Sequence, residues 1–114
     1  MIDVYVEIEY LVTNCANFDA EYERVTDEIF AQEKLSESVY DTSQGGNLAT
    51  QSVVFTCFAK GATVEDAVAS SEALVKQSIS NVATCSWNWV WTNAYDGDGE
   101  LDYDKPIYAS GVAV

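Results

Sequence analysis

Residues 2–12 read IDVYVEIEYLV and alternate apolar with polar or charged side chains. Successive side chains of a strand point to opposite faces of a sheet, so this period of two predicts a strand with one buried and one open face. The buried face would hold Ile2, Val4, Val6, Ile8, Tyr10 and Val12. The open face would hold Asp3, Tyr5, Glu7 and Glu9.

After this strand the apolar spacing becomes helical. One stripe of a helix would be formed by Phe18, Tyr22, Val25 and Ile29. Asn17 is a suitable N-cap, and Asp19 and Glu21 fall in the first turn, where the helix dipole favours carboxylates. The other faces carry further acids, Glu23, Asp27, Glu28 and Glu33.

A hairpin and a second helix are predicted next. Residues 38–42 and 50–59 are rich in Val, Tyr, Phe and Thr, which favour strands, and residues 44–47 between them (Gln-Gly-Gly-Asn) predict the turn. The second helix would begin at Thr63, because Thr63 together with Asp66, three residues later, resembles a capping box. Its buried stripe would be Val64, Val68, Val75 and Ile79.

Residues 83–92 predict another strand, in which alternation places Trp87, Trp89 and Trp91 on one face. We expect these rings to pack beneath the helices. The alternative is an aromatic stripe on the open sheet face that serves self-association or a partner. Base stacking on such a stripe would need a cationic groove, for which the chain has too few Lys and Arg residues.

The element order is therefore β-α-β-β-α-β within a single acidic α+β domain, residues 1–114. This is the split β-α-β pattern of ferredoxin-like folds, a two-layer sandwich in which both helices cover one face of a four-stranded antiparallel sheet. Residues 107–114 would add an extra strand at the C-terminal edge.

Negative charge dominates the chain. It has 19 Asp and Glu residues against 5 Lys and Arg, a net charge of −14. The acids are concentrated in residues 3–41 and 96–104, whereas residues 42–95 are nearly neutral. Such a field repels nucleic acid and anionic membranes and attracts basic surfaces, so we expect a partner that itself binds polyanions. Adaptation to high salt is the alternative, but it predicts acids spread over the whole surface.

Several function classes lack the residues they need. The chain has no histidine and no Gly-rich phosphate loop, so we expect neither an enzyme nor a cofactor. Cys15, Cys57 and Cys85 are far apart in the chain, and we expect free, mostly buried thiols. The N-terminal alternation is typical of neither a signal peptide nor a membrane span.

Residues 96–104, DGDGELDYD, have part of the spacing of an EF-hand calcium loop. The residues that match its third, fifth, sixth and eighth positions are Asp96, Asp98, Gly99 and Leu101. Ala94 and Lys105 would take the first and twelfth positions, so two ligands are missing. We expect an acidic turn and no metal site; a weak cation site is the alternative.

In size, acidity, compact α/β character and lack of catalytic residues, the chain resembles small nucleic-acid-mimicking inhibitors of phages and mobile elements, such as anti-CRISPR proteins. The resemblance implies a DNA or RNA mimic, monomeric rather than dimeric and located in the cytoplasm of a host bacterium. It would block the cationic site of a nucleic-acid-binding protein or ribonucleoprotein complex, such as a CRISPR-Cas effector. The candidate partner-binding residues are Glu7, Glu9, Asp19, Glu21, Glu23, Asp27, Glu28, Asp96, Asp98, Glu100, Asp102 and Asp104.

The second hypothesis is an assembly module, either a phage structural subunit or a homo-oligomeric domain joined through its sheet. Acidity would then serve solubility alone, charge reversals would have no effect, and Trp89→Ala would disrupt the oligomer.

Overall fold

A computed structural model of the chain describes residues 1–111. The strands are β1 (Ile2–Thr13), β2 (Val39–Asn47), β3 (Ser52–Gly61), β4 (Ser86–Asp96) and β5 (Tyr108–Gly111), and the helices are α1 (Phe18–Leu35) and α2 (Val64–Val82). All strand pairs are antiparallel, in the order β2-β3-β1-β4-β5. The α+β class is confirmed. Residues 112–114, the end of the expected edge strand, lie outside the described residues.

Strand β1 forms the middle of the sheet, and its side chains alternate as predicted. Val4, Val6 and Ile8 are buried, whereas Glu7 and Glu9 lie on the opposite face. The helices cover the buried face with Phe18, Val25, Ile29, Ala67, Val68 and Val75. Each fully buried Val or Ile stabilises the fold by roughly 1.5–3 kcal/mol, so this two-layer core fixes which face of β1 stays open.

Both predicted helix starts are confirmed. The side chain of Asn17 accepts a 3.1 Å hydrogen bond from the amide of Ala20, and Thr63 accepts one of 3.1 Å from the amide of Asp66. These bonds satisfy amides of the first turn that have no partner within the helix. Neither helix is long and apolar enough to cross a membrane within residues 1–111.

The predicted hairpin turn at residues 44–47 is wrong, because β2 continues to Asn47 and the turn follows it. A Cβ on Gly46 would lie 3.1 Å from the ring of Tyr22 on α1, and the Tyr22 hydroxyl donates a 3.1 Å hydrogen bond to the carbonyl of Gln44. Gly46 therefore lets α1 approach the strand closely. The turn itself is closed by the Asn47 side chain, which accepts a hydrogen bond from the amide of Ala49.

The prediction that the three tryptophans share one face is also wrong. Glu9 of β1 lies opposite Trp91, but the next residue, Tyr10, lies opposite Trp89. Val90 is thus an extra residue, a β-bulge, and it reverses the alternation of β4. Trp87 and Trp89 therefore pack with the core on the helix side, whereas Trp91 lies on the other face.

Candidate binding surface on the open sheet face

The sheet face away from the helices, called here the open face, carries a row of aromatic rings. The row crosses four strands through Tyr40, Phe58, Tyr5 and Tyr95. Successive ring centroids are 5.6, 5.1 and 6.3 Å apart, which suits favourable aromatic pairs. The strand register produces this row, because each of these residues lies directly opposite the following one on the neighbouring strand.

The second acidic block, residues 96–104 and called here the acidic loop, packs against this aromatic row. The ring of Tyr103 lies 5.3 Å from that of Tyr95 and 6.0 Å from that of Tyr5, measured between centroids. At the start of the loop, the amide of Gly97 donates a 3.0 Å hydrogen bond to the carbonyl of Asp3. The loop acids Asp96, Asp98, Glu100, Asp102 and Asp104 are exposed.

Glu7 and Glu9 are half-buried in the middle of the open face. Glu7 lies opposite Asn93 of β4, and Glu9 lies opposite Trp91. Burial, and then the nearby Glu7 carboxylate, raise the pKa of Tyr95. Neither glutamate forms an ion pair with any basic side chain of residues 1–111. The structure therefore brings these two predicted residues to the face on which Tyr103 of the acidic loop packs. Asp96 is the exception, because it pairs with the buried Val4 and lies on the helix side of the sheet.

A cation is already bound at one end of the aromatic row. The ammonium of Lys60 lies 5.6 Å from the centroid of the Tyr40 ring, and Lys60 pairs in register with Asp3 of β1. The Tyr40 hydroxyl donates a 2.8 Å hydrogen bond to the Asp3 carboxylate. Burial, followed by this contact with Asp3, raises the pKa of Tyr40 to about 12. An aromatic ring of this face thus contacts a cation, and its hydroxyl is held by a neighbouring carboxylate.

The acids of α1 lie in the helical layer, on the other side of the sheet. Asp19, Glu23 and Asp27 are exposed there. Glu28 accepts hydrogen bonds of 2.6 Å from Asn81 and 3.0 Å from Gln32, and these bonds lower its pKa. The structure therefore does not bring the α1 acids together with Glu7, Glu9 and the acidic loop.

Glu21 is a correction, because its side chain is 0% exposed and offers no surface to a partner. Its carboxylate accepts hydrogen bonds from the amides of Thr84 and Cys85, the indole of Trp87 and the guanidinium of Arg24. Burial opposes ionisation, but these hydrogen bonds outweigh it and lower the pKa of Glu21 to about 2. Glu21 is therefore a buried structural carboxylate.

The expectation of free thiols is wrong for two of the three cysteines. Cys15 and Cys85 form a disulfide, with their Cα atoms 5.1 Å apart, while Cys57 is free and buried. The end of β1 lies beside the start of β4 in the antiparallel sheet, which brings together cysteines 70 residues apart in sequence. Sequence spacing alone contains no sign of this pairing.

The acidic loop is shaped by its own side chains. Asp96 accepts a 3.0 Å hydrogen bond from the amide of Asp98, and Asp102 accepts one of 3.0 Å from the amide of Asp104. These are the local turns that Asp residues favour. Among residues 1–111, no group of three or more Cys, Asp or Glu side chains is arranged to hold a metal ion.

The helix side of β4 borders a separate cavity of about 550 Å³. Trp87, Trp89 and Tyr10 line it on the sheet side, and Glu72 and Lys76 line it on α2. The indole nitrogens of both tryptophans donate hydrogen bonds within the protein, to Glu21 and Thr92. These two rings therefore contribute to the core and to the wall of this cavity, and not to the open face.

Sequence reasoning placed Tyr5 on the open face but did not predict the aromatic row. The alternation of β1 already placed Tyr5 beside Glu7, and Tyr40 and Phe58 alternate with the buried Val39 and Cys57 in the same way. Those patterns could have revealed three members of the row.

No family model, curated protein or solved structure matches this chain.

Proposed function

We propose that this protein is a non-catalytic inhibitor that binds, through its open face and acidic loop, the cationic DNA- or RNA-binding surface of a larger protein or ribonucleoprotein complex. One observation carries the proposal. Glu7, Glu9 and the acidic loop converge on a face that the helices leave uncovered, and no ion pair neutralises Glu7 or Glu9 within residues 1–111.

The arrangement of charge supports imitation of a nucleic acid. Glu7 and Glu9 point to the same side of β1 at a spacing of about 6–7 Å, similar to that of successive phosphates along a strand. Carboxylates held this close repel one another, and a cationic partner relieves that repulsion. Complementary charge also accelerates association and makes it sensitive to salt.

We further propose that β1–β4 and the two helices are a ferredoxin-like sandwich to which β5 has been added. In the order β2-β3-β1-β4, β3 lies between the two strands of the β1-α1-β2 unit, and β1 lies between the two strands of the β3-α2-β4 unit. This is the arrangement of the split β-α-β pattern.

For location we propose the cytoplasm of a host bacterium. The Cys15–Cys85 disulfide weighs against this location, because reducing compartments rarely preserve such bonds.

Two matched triple variants test the function. Glu9→Lys/Asp98→Lys/Glu100→Lys reverses charge on the open face and acidic loop. Glu23→Lys/Asp27→Lys/Glu37→Lys makes the same change in net charge at exposed positions of α1 and the turn after it. Each tagged protein is used to capture partners from a bacterial lysate at low and high salt, with and without competing DNA.

We expect the wild type and the α1 variant to capture a nucleic-acid-binding protein or complex that DNA and salt displace, and the open-face variant to capture none. In a gel-shift assay, the wild type should also prevent that partner from binding its nucleic acid. Equal capture by both variants would contradict the proposal. Recovery of a homo-oligomer that tolerates both sets of reversals would favour the assembly module.

A further inference from the structure

We infer that the centre of the open face, formed by Trp91, Glu9 and Glu7, binds arginine side chains of the partner. One guanidinium group would pair with the Glu9 carboxylate while lying against the indole ring of Trp91. This inference rests on the proposed function and names the chemistry that the partner must present.

The strand register places the required groups side by side. Glu9 and Trp91 are directly opposite residues of β1 and β4, and such pairs have Cβ atoms about 4.5–5.5 Å apart. Glu7 lies on the same face one pair further along β1, opposite Asn93. Because the bulge at Val90 reverses the alternation of β4, Trp91 is the tryptophan that joins the acidic face.

Within residues 1–111, no basic side chain forms an ion pair with Glu7 or Glu9. Of the protein's five basic residues, Arg24 pairs with the buried Glu21 and Lys76 borders the cavity beside α2. Lys34 is in the last turn of α1, Lys60 lies at the Tyr40 end of the row, and Lys105 follows the acidic loop. Glu7 and Glu9 are therefore half-buried carboxylates left for an external cation.

The same face already holds one cation against an aromatic ring. Lys60 lies over the ring of Tyr40 at one end of the row, and the hydroxyl of that ring donates a hydrogen bond to the Asp3 carboxylate. Glu9 and Trp91 lie further along β1 and β4, beyond the pair formed by Glu7 and Asn93, and there a carboxylate and a ring have no basic partner among residues 1–111. Tryptophan is the aromatic side chain that attracts cations most strongly.

Arginine fits this position better than lysine does. Its guanidinium is planar, stacks on aromatic faces, is weakly hydrated and can donate two parallel hydrogen bonds to one carboxylate. The lysine ammonium is a compact, strongly hydrated charge, so removing it from water costs more free energy than removing a guanidinium. The combination of a half-buried carboxylate and an indole ring therefore selects for arginine, which is common in proteins that bind phosphates.

The test compares fluorescently labelled hexa-arginine and hexa-lysine peptides binding to the intact protein, with dissociation constants from anisotropy near physiological salt. We expect hexa-arginine to bind about tenfold more tightly, since ring stacking and paired hydrogen bonds favour it. In ¹⁵N–¹H spectra, the indole signal of Trp91 should shift with hexa-arginine, while those of Trp87 and Trp89 should not.

Trp91→Leu should remove the preference for arginine while preserving binding of hexa-lysine. Trp89→Leu, on the opposite face of the same strand, is its matched control and should keep the preference. If Trp91→Leu does not fold, Glu9→Gln replaces it, with the exposed Glu23→Gln as control.

Equal affinities for the two peptides, or a preference unchanged in both Trp91→Leu and Glu9→Gln, would overturn the inference. The proposed function would still stand if open-face charge reversals released the captured partner. The opposite outcome is also possible to recognise: the protein prefers arginine at Trp91, but DNA does not displace the captured partner. That result would support the arginine site and contradict nucleic-acid mimicry.

Discussion

The indole nitrogen of Trp87 donates a 2.9 Å hydrogen bond to the carboxylate of Glu21, 66 residues earlier in the chain. The amides of Thr84 and Cys85 donate to the same carboxylate. Helix α1 is thus joined to the start of β4 by a buried, ionised side chain. A buried charge is tolerated only where hydrogen bonds replace the water it has lost, and here several donors surround it.

Glu21→Ala should therefore be the most destabilising substitution among the acidic residues. It removes the buried acceptor of the donors from Trp87, Thr84 and Cys85, and breaking a network around a buried charge costs roughly 3–5 kcal/mol. The free energy of unfolding from urea titration measures the loss. Glu23→Ala, an exposed acid on the same helix, is the control and should change stability by less than about 0.5 kcal/mol. Similar losses for the two variants would show that Glu21 is not buried.

The contribution of Glu21 should also depend on pH. Its pKa is lowered from 4.5 to about 2, so the folded state binds the proton less tightly than the unfolded state does. The stabilisation is present above pH 4.5 and is lost as the pH falls towards 2. Urea midpoints of wild type and Glu21→Gln, measured across this range, should differ most near neutral pH and converge in acid. A constant difference would contradict the lowered pKa.

Removal of the Cys15–Cys85 disulfide should destabilise the protein without changing its fold. The bond spans 70 residues, and closing such a loop removes about 4 kcal/mol of unfolded-state entropy in the chain-entropy model. Urea unfolding of Cys15→Ser/Cys85→Ser should show a loss of unfolding free energy of this order.

Burial raises the pKa of Cys57 to about 11, so iodoacetamide should leave this thiol unmodified at pH 8 in the native protein. In urea without a reductant only Cys57 should react, and three reacting thiols would contradict the disulfide.

Two adjacent glycines of β2 should respond oppositely to alanine. A Cβ at Gly46 would lie 3.1 Å from the Tyr22 ring, so Gly46→Ala forces this ring to shift against its neighbours and should cost roughly 1–3 kcal/mol. Gly45, whose Cβ would meet nothing within 4 Å, is the matched control. Gly45→Ala should be neutral or stabilise by up to about 1 kcal/mol, because it restricts the unfolded chain. Thermal melts of both variants check this, and equal effects would contradict the close approach of Tyr22.

Local patterns in the sequence correctly identified most elements of the fold. The alternation of residues 2–12 gives β1, and Asn17 and Thr63 begin the two helices, because period and capping depend on neighbouring residues alone. The hairpin turn was misplaced because two glycines usually signal a turn. Here Gly46 is needed inside a strand, to accommodate a ring from a helix distant in sequence.

The candidate site was only partly predictable, because it also depends on contacts between residues that are distant in sequence. Glu7 and Glu9 followed from the alternation of β1. Alternation also predicted all three tryptophans on one face, but a single bulge at Val90 moves Trp91 to the face of Glu7 and Glu9. The first-turn position of Glu21 predicted a favourable dipole interaction. It could not show that Thr84, Cys85 and Trp87 surround the carboxylate, since these donors come from the other end of the chain.

The sequence by itself determined the α+β class, the open face of β1 and the strongly negative charge, because these depend on local period and composition. Only the tertiary structure decided the Cys15–Cys85 pairing, the burial of Glu21 and the convergence of Glu7, Glu9 and the acidic loop beside one aromatic row. Each of these depends on the register between strands distant in sequence. Register is set by how the whole core packs, so a change of one residue moves a side chain to the other face.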